Sequence, residues 1–166
     1  MRSKPSVKFA EQKRSGHDLW RCRRRAGVCL CLAFAFLLGG CSSFNREWRR
    51  VGQQPVPPDS IAGRWEGRWL SDVNAHNGKL RCIITVETNG ICAARFRATY
   101  MKTLSFSYIV RLQVEQRDGN WRFRGEEDLG AIAGGVYRYV GSATSTNFQS
   151  TYDSKYDRGI FEMRRP

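Results

Sequence analysis

The residues of this chain with chemistry to offer are six cysteines, two histidines and a few clustered carboxylates. A thiolate can act as a nucleophile, a metal ligand, a disulfide partner or a lipid acceptor. Cys22, Cys29, Cys31 and Cys41 lie near the N-terminus, and Cys82 and Cys92 lie far downstream. His76 shares the polar loop Ser71 to Asn77 with Asp72. The pair alone would hold a metal only weakly, because a zinc site needs three or four ligands. Glu126-Glu127-Asp128 falls in a turn, and Asp153 and Asp157 flank the last hairpin. Paired carboxylates can exchange protons with a substrate in a cleft, but at turns they more often shape the chain. Gly134-Gly135 is followed by neither a helix nor a lysine, so it is no phosphate loop. The expectation is therefore a protein without catalytic residues, metal or cofactor.

Charge has to be read by segment. Residues 1–40 hold nine Lys/Arg against two acidic side chains, a net of +7, and residues 41–166 hold nineteen against thirteen, a net of +6. Much of the formal +13 thus belongs to a leader. That leader has a basic stretch ending in Arg21, Arg23, Arg24 and Arg25, then an uncharged apolar run from Ala26 to Leu38. Two glycines and Cys41 follow. This is the layout of an export signal. The run is short of the roughly 20 apolar residues of a spanning helix, although an uncleaved anchor is the alternative.

Leu38-Gly39-Gly40-Cys41 resembles the bacterial lipobox. The resemblance implies a diacylglyceryl thioether on Cys41, cleavage before it and acylation of the new amine. Each buried acyl CH₂ contributes about 0.8 kcal/mol, so several chains hold a protein on a bilayer. Ser42, where the family's sorting rule would use Asp for inner-membrane retention, implies the outer membrane of a Gram-negative cell. Three regions follow: a signal peptide at 1–40, a lipidated tether at 41–60 and a domain at 61–166. In the tether, Asn45 to Arg50 read as polar, and Gln53-Gln54-Pro55-Val56-Pro57-Pro58 reads as a stiff extended spacer. Arg46, Arg49 and Arg50 would lie near anionic head groups, or in a solvated linker.

From Ile61 onward apolar and polar residues alternate with period two, the pattern of half-buried strands. Trp65 and Trp69 share a face, as do Leu80, Cys82, Ile84 and Val86. Cys92, Phe96 and Tyr100 do likewise, followed by Leu104 to Val114 at every second position. Trp121 and Phe123 mark a fifth strand, and Tyr137 and Tyr139 a Gly-rich sixth over Ala131 to Val140. Thr144, Thr146, Phe148 and Tyr152 mark a seventh, and Phe161 and Met163 an eighth. Asp118-Gly119 is a two-residue hairpin signal that pairs Val114 with Phe123. Thr88-Asn89-Gly90 as a three-residue loop pairs Val86 with Cys92 and Cys82 with Phe96. Cys82 and Cys92 then stand about 13 Å apart at the usual rise, beyond disulfide reach. Two free, buried thiols are expected.

Eight antiparallel strands with one apolar face predict an all-β, up-and-down barrel, which also removes sheet edges; a two-sheet sandwich is the alternative. A membrane-spanning barrel would reverse the observed faces. Gly63-Arg64-Trp65 resembles the Gly-x-Trp that opens the first strand of lipocalins and related calycins. The resemblance implies an arginine packed over Trp65, supplied by Arg164 or Arg165, and a small apolar ligand inside the barrel. Trp65, Trp69, Phe96, Tyr108, Trp121, Tyr137 and Tyr139 are the candidate cavity residues, although the same side chains could fill a solid core. Arg64, Arg68, Arg81, Arg95, Arg97, Arg111, Arg122, Arg124 and Arg138 fall on the outside. They fit a solvated face, or contact with lipid head groups or acidic envelope polymers. Nucleic acid is disfavoured, because the aromatics point inward rather than outward for stacking. The expected function is a non-enzymatic, membrane-anchored lipoprotein of the cell envelope with a binding or structural role, the alternatives being a calycin-type carrier or an unrecognised enzyme.

Overall fold

The computed structural model describes residues 43–56, 59–101, 103–131 and 134–166. The leader and Cys41 lie outside them. The described residues belong to one unit, Gly39–Pro166.

Eight antiparallel strands run in order β1 Gly63–Ser71, β2 Asn77–Val86, β3 Ile91–Tyr100, β4 Leu104–Arg117, β5 Asn120–Asp128, β6 Val136–Ala143, β7 Asn147–Ser154 and β8 Arg158–Arg164. Each pairs with its neighbour, and β8 returns to pair with β1, closing the barrel. The alternation explains the burial. Along β3 every second residue from Cys92 to Ala98 is buried, while those between are not. Trp65, Leu80, Cys82, Ala94, Phe96, Val110, Leu112 and Phe148 form the centre of the inner core.

The turns set the register as expected. Asp118 and Gly119 both take positive φ, 53° and 76°, the backbone of a two-residue turn whose twist matches the strands. Arg117 pairs with Asn120 and Val114 with Phe123. At the β2–β3 turn Asn89 and Gly90 have φ of 55° and 74°. The Glu87 amide donates to the Ile91 carbonyl, Val86 pairs with Cys92, and Cys82 with Phe96. Both thiols are free and buried, and burial pushes the Cys82 thiol well above its ordinary pKa.

Besides Glu126, Glu127 and Asp128, which belong to β5 rather than to a turn, three details differ from the sequence reading. The sixth strand runs over Val136–Ala143 rather than from Ala131. Thr144 and Thr146 belong to the β6–β7 turn, where the Thr144 hydroxyl accepts from the Thr146 and Asn147 amides. This local side-chain bonding competes with strand pairing. Third, residues 43–52 form a helix, α1, where a polar spacer was expected. Its apolar residues Phe44, Trp48 and Val51 fall at i, i+4 and i+7, one face of a helix. That face packs on Ile83, an outward-pointing residue of β2 that is buried as a result.

The helix also changes the meaning of the outer arginines. Arg81 lies over both the Phe44 and Trp48 rings, at 5.8 and 5.3 Å. Arg64 stacks on Trp48 at 5.1 Å, and Arg95 and Arg97 on Phe44 at 5.6 and 5.8 Å. Arg95 also bonds Glu47 and Ser43, and Arg97 bonds Asn45. Four of the nine arginines expected on a solvated face therefore hold α1 by cation–π contact and charge pairing. Arg46, Arg49 and Arg50 are exposed on the helix.

Candidate functional site

The two ends of the barrel are built differently. One end is plugged. The Trp65 indole is fully buried and donates to the Ile61 carbonyl at 3.0 Å. Arg165 lies 4.1 Å over the same ring and donates to the carbonyls of Ala62 and Ser60. Of the two arginines named for this place, it is Arg165 that occupies it; Arg164 is exposed on β8. Gly63 has φ +112°, and a Cβ there would stand 2.6 Å from the Arg165 guanidinium. Glycine is thus required for backbone shape and for the arginine to close over the tryptophan. Beneath this lid, Phe148 packs on Trp65 at 5.7 Å and on Phe123 at 4.6 Å. Trp121 is buried in the same core, beside the β4–β5 turn, where Arg117 pairs with Asn120.

The opposite end, where β1 connects to β2, β3 to β4, β5 to β6 and β7 to β8, holds a cup of about 330 Å³. Its walls include Trp69, Tyr100, Phe106, Tyr137 and Tyr152, with Ala98 and Leu129. Deeper lie Tyr108, Tyr139 and Phe161. Phe96 stacks under this layer, 5.4 Å from Tyr108, 6.2 Å from Tyr139 and 5.5 Å from Phe161. Of the seven candidate cavity residues, Trp69, Tyr108, Tyr137 and Tyr139 line the cup. Phe96 supports its floor. Trp65 and Trp121 do not line it. Alternation alone puts all seven inside, but it carries no information about height along the barrel, and height separates plug from cup.

The polar groups of the cup sit in defined places. The Trp69 indole donates to the Thr99 carbonyl at 3.1 Å and stacks on Tyr100. The Tyr100 hydroxyl bonds His76 Nδ1 at 3.1 Å, so the loop histidine stands at the rim. Asp157 reaches inward from the β7–β8 turn. Its Oδ1 accepts from the Ser71 hydroxyl at 2.6 Å and its Oδ2 from the Tyr152 hydroxyl at 3.2 Å. Burial pushes the Tyr108 phenol well above its ordinary pKa, with a smaller contribution from Tyr139. Burial likewise raises Tyr139, and burial with Asp157 raises Tyr152. These phenols remain protonated donors at neutral pH. Val73, Met101, Leu104, Phe106, Val136 and Tyr156 are exposed around the mouth, extending the apolar surface outward.

A larger cleft, about 570 Å³, lies outside the barrel between the end of α1 and the plugged end. Its lining includes Arg50, Arg64 and Arg165. Arg64 and Arg165 already serve α1 and the plug. No group of three or more metal-ligating side chains exists among the described residues. Asp72 lies in the loop with His76, and Asp153 faces outward, where β7 pairs it with Arg158. Glu126 pairs with Arg138 on the outer surface. No family model, curated protein or solved structure matches the chain.

Proposed function

We propose that this protein is a lipid-anchored binding protein of the bacterial cell envelope that takes a small, largely apolar molecule into its barrel, in the manner of a calycin. The observation that supports this best is the cup. An engineered cavity of about 150 Å³ admits benzene, so about 330 Å³ suits a molecule of one to two rings. Pockets that bind small molecules begin near this size and share its apolar lining with a few fixed polar groups. The Gly63–Trp65–Arg165 plug supports the calycin comparison, because it closes one end and leaves the other open. The reading is one of binding rather than catalysis.

Native mass spectrometry of the full-length protein tests the binding. A one-to-one complex is expected with a molecule retained from the host or with added 3-ethylindole. Ala98→Trp, which fills the cup, is expected to abolish it. A bare protein mass under both conditions would sink the reading.

The anchor rests on Leu38-Gly39-Gly40-Cys41. Arg46, Arg49 and Arg50, exposed a few residues beyond, suit contact with anionic head groups, and the Ser42 rule points to the outer membrane. Incorporation of labelled fatty acid is expected in wild type and not in Cys41→Ser. Equal incorporation in both would remove the anchor from the proposal.

A further inference from the structure

We infer that the cup selects an aromatic or apolar molecule bearing a single positive charge, with Asp157 as the group that receives the charge. This rests on the binding proposed above and specifies its ligand class. Among the residues lining the cup, Asp157 alone carries a charge. A second carboxylate, Glu127, takes an inward-alternating position of β5 with Trp121 and Phe123 and bears on Tyr139 from beside the cup, so the field there is negative.

Two neutral hydroxyls hold that carboxylate in place, one on each oxygen. The ion pairs among the described residues use Glu47, Glu87, Glu126 and Glu162, not Asp157. A carboxylate oxygen has more than one acceptor position, so each retains capacity toward a ligand. A charge beside apolar walls is costly without a counter-charge. A bound cation would supply it.

The walls point the same way. Trp69, Tyr100, Tyr137 and Tyr152 line the cup together with Asp157. Ring faces carry negative quadrupole density and attract ammonium groups, most strongly where water is excluded. An aromatic cage with one carboxylate thus favours a cation over a neutral molecule of the same shape and rejects an anion. The Ser71–Asp157 bond also ties the β7–β8 turn to the end of β1. That structural role explains the bond but not the siting of a carboxylate on an aromatic cup, since Asn would supply an acceptor too.

Calorimetric titration of the full-length protein with three indoles of similar size tests this. Tryptamine carries a cation, 3-ethylindole is neutral and indole-3-acetate is an anion. Tryptamine is expected to bind at least tenfold more tightly than 3-ethylindole, and indole-3-acetate to give no detectable heat. Asp157→Asn is expected to remove the preference while leaving the 3-ethylindole affinity within threefold. If wild type binds 3-ethylindole as tightly as tryptamine, the charge selection is wrong and the binding function stands. If none of the three binds, both fall. The wild-type comparison decides the matter even if Asp157→Asn folds poorly.

Discussion

Trp65→Ala is expected to lower the unfolding free energy by about 3–5 kcal/mol, the range for removing a buried large aromatic. Against a total of about 5–15 kcal/mol for a typical domain, that is enough to leave much of the barrel unfolded at physiological temperature. The indole is fully buried, so its removal leaves a void beside Phe148. It also orphans the Ile61 carbonyl that the indole nitrogen bonds. Arg165→Ala removes the lid instead. It breaks the bonds to the Ala62 and Ser60 carbonyls, and a loss of about 2 kcal/mol is expected for charge-assisted bonds of this kind. Arg165→Lys should recover little, because an ammonium lacks the planar fork that stacks on the ring and reaches two carbonyls. Urea denaturation followed by circular dichroism measures all three. If Arg165→Ala unfolds within about 0.5 kcal/mol of wild type, as an ordinary surface substitution does, the plug is not a stabilising unit.

The plug also shows how much the sequence disclosed. Strand number, pairing partners and the two hairpin registers follow from period-two alternation and from Asp118-Gly119 and Asn89-Gly90, because each of these acts locally. The Gly63-Arg64-Trp65 resemblance pointed to an arginine over Trp65, the place Arg165 takes, but not to a closed end. The split of the inner aromatics between plug and cup was not legible. Trp65 and Trp69 are four residues apart on one strand and one face, yet one is sealed under Arg165 and the other opens on a cavity. That depends on how eight strands stagger around the barrel, a relation between residues distant in sequence. Asp157 was legible only as a turn residue. Its inward aim comes from bonds to Ser71 and Tyr152, and Ser71 belongs to another strand. Helix α1 did leave a signal in Phe44, Trp48 and Val51, but three apolar residues among three arginines and one glutamate read as a linker until Ile83 and the outer arginines supply their partners.

Phe44→Ala combined with Trp48→Ala is expected to release that helix while the barrel stays folded. The two rings and Ile83 form a cluster separate from the barrel interior, so the inner core loses nothing. Stacked on each other at 5.9 Å, they are also what Arg64, Arg81, Arg95 and Arg97 grip. An isolated ten-residue helix is marginal in water, so undocking and unfolding should coincide, at a cost of roughly 2–4 kcal/mol for the segment. Trypsin offers a direct readout, since Arg46, Arg49 and Arg50 are exposed but are cut efficiently only when the backbone opens. Cleavage there is expected to accelerate at least tenfold in the double variant, with the barrel fragment remaining resistant. Unchanged cleavage would mean that the helix is not held by its rings. The consequence for the proposed anchor is one of reach. Ten helical residues span about 15 Å, whereas the same residues extended span about 35 Å. If Cys41 carries the proposed lipid, a docked α1 would hold the barrel on a short tether, and a released one would let the cup swing on a longer leash.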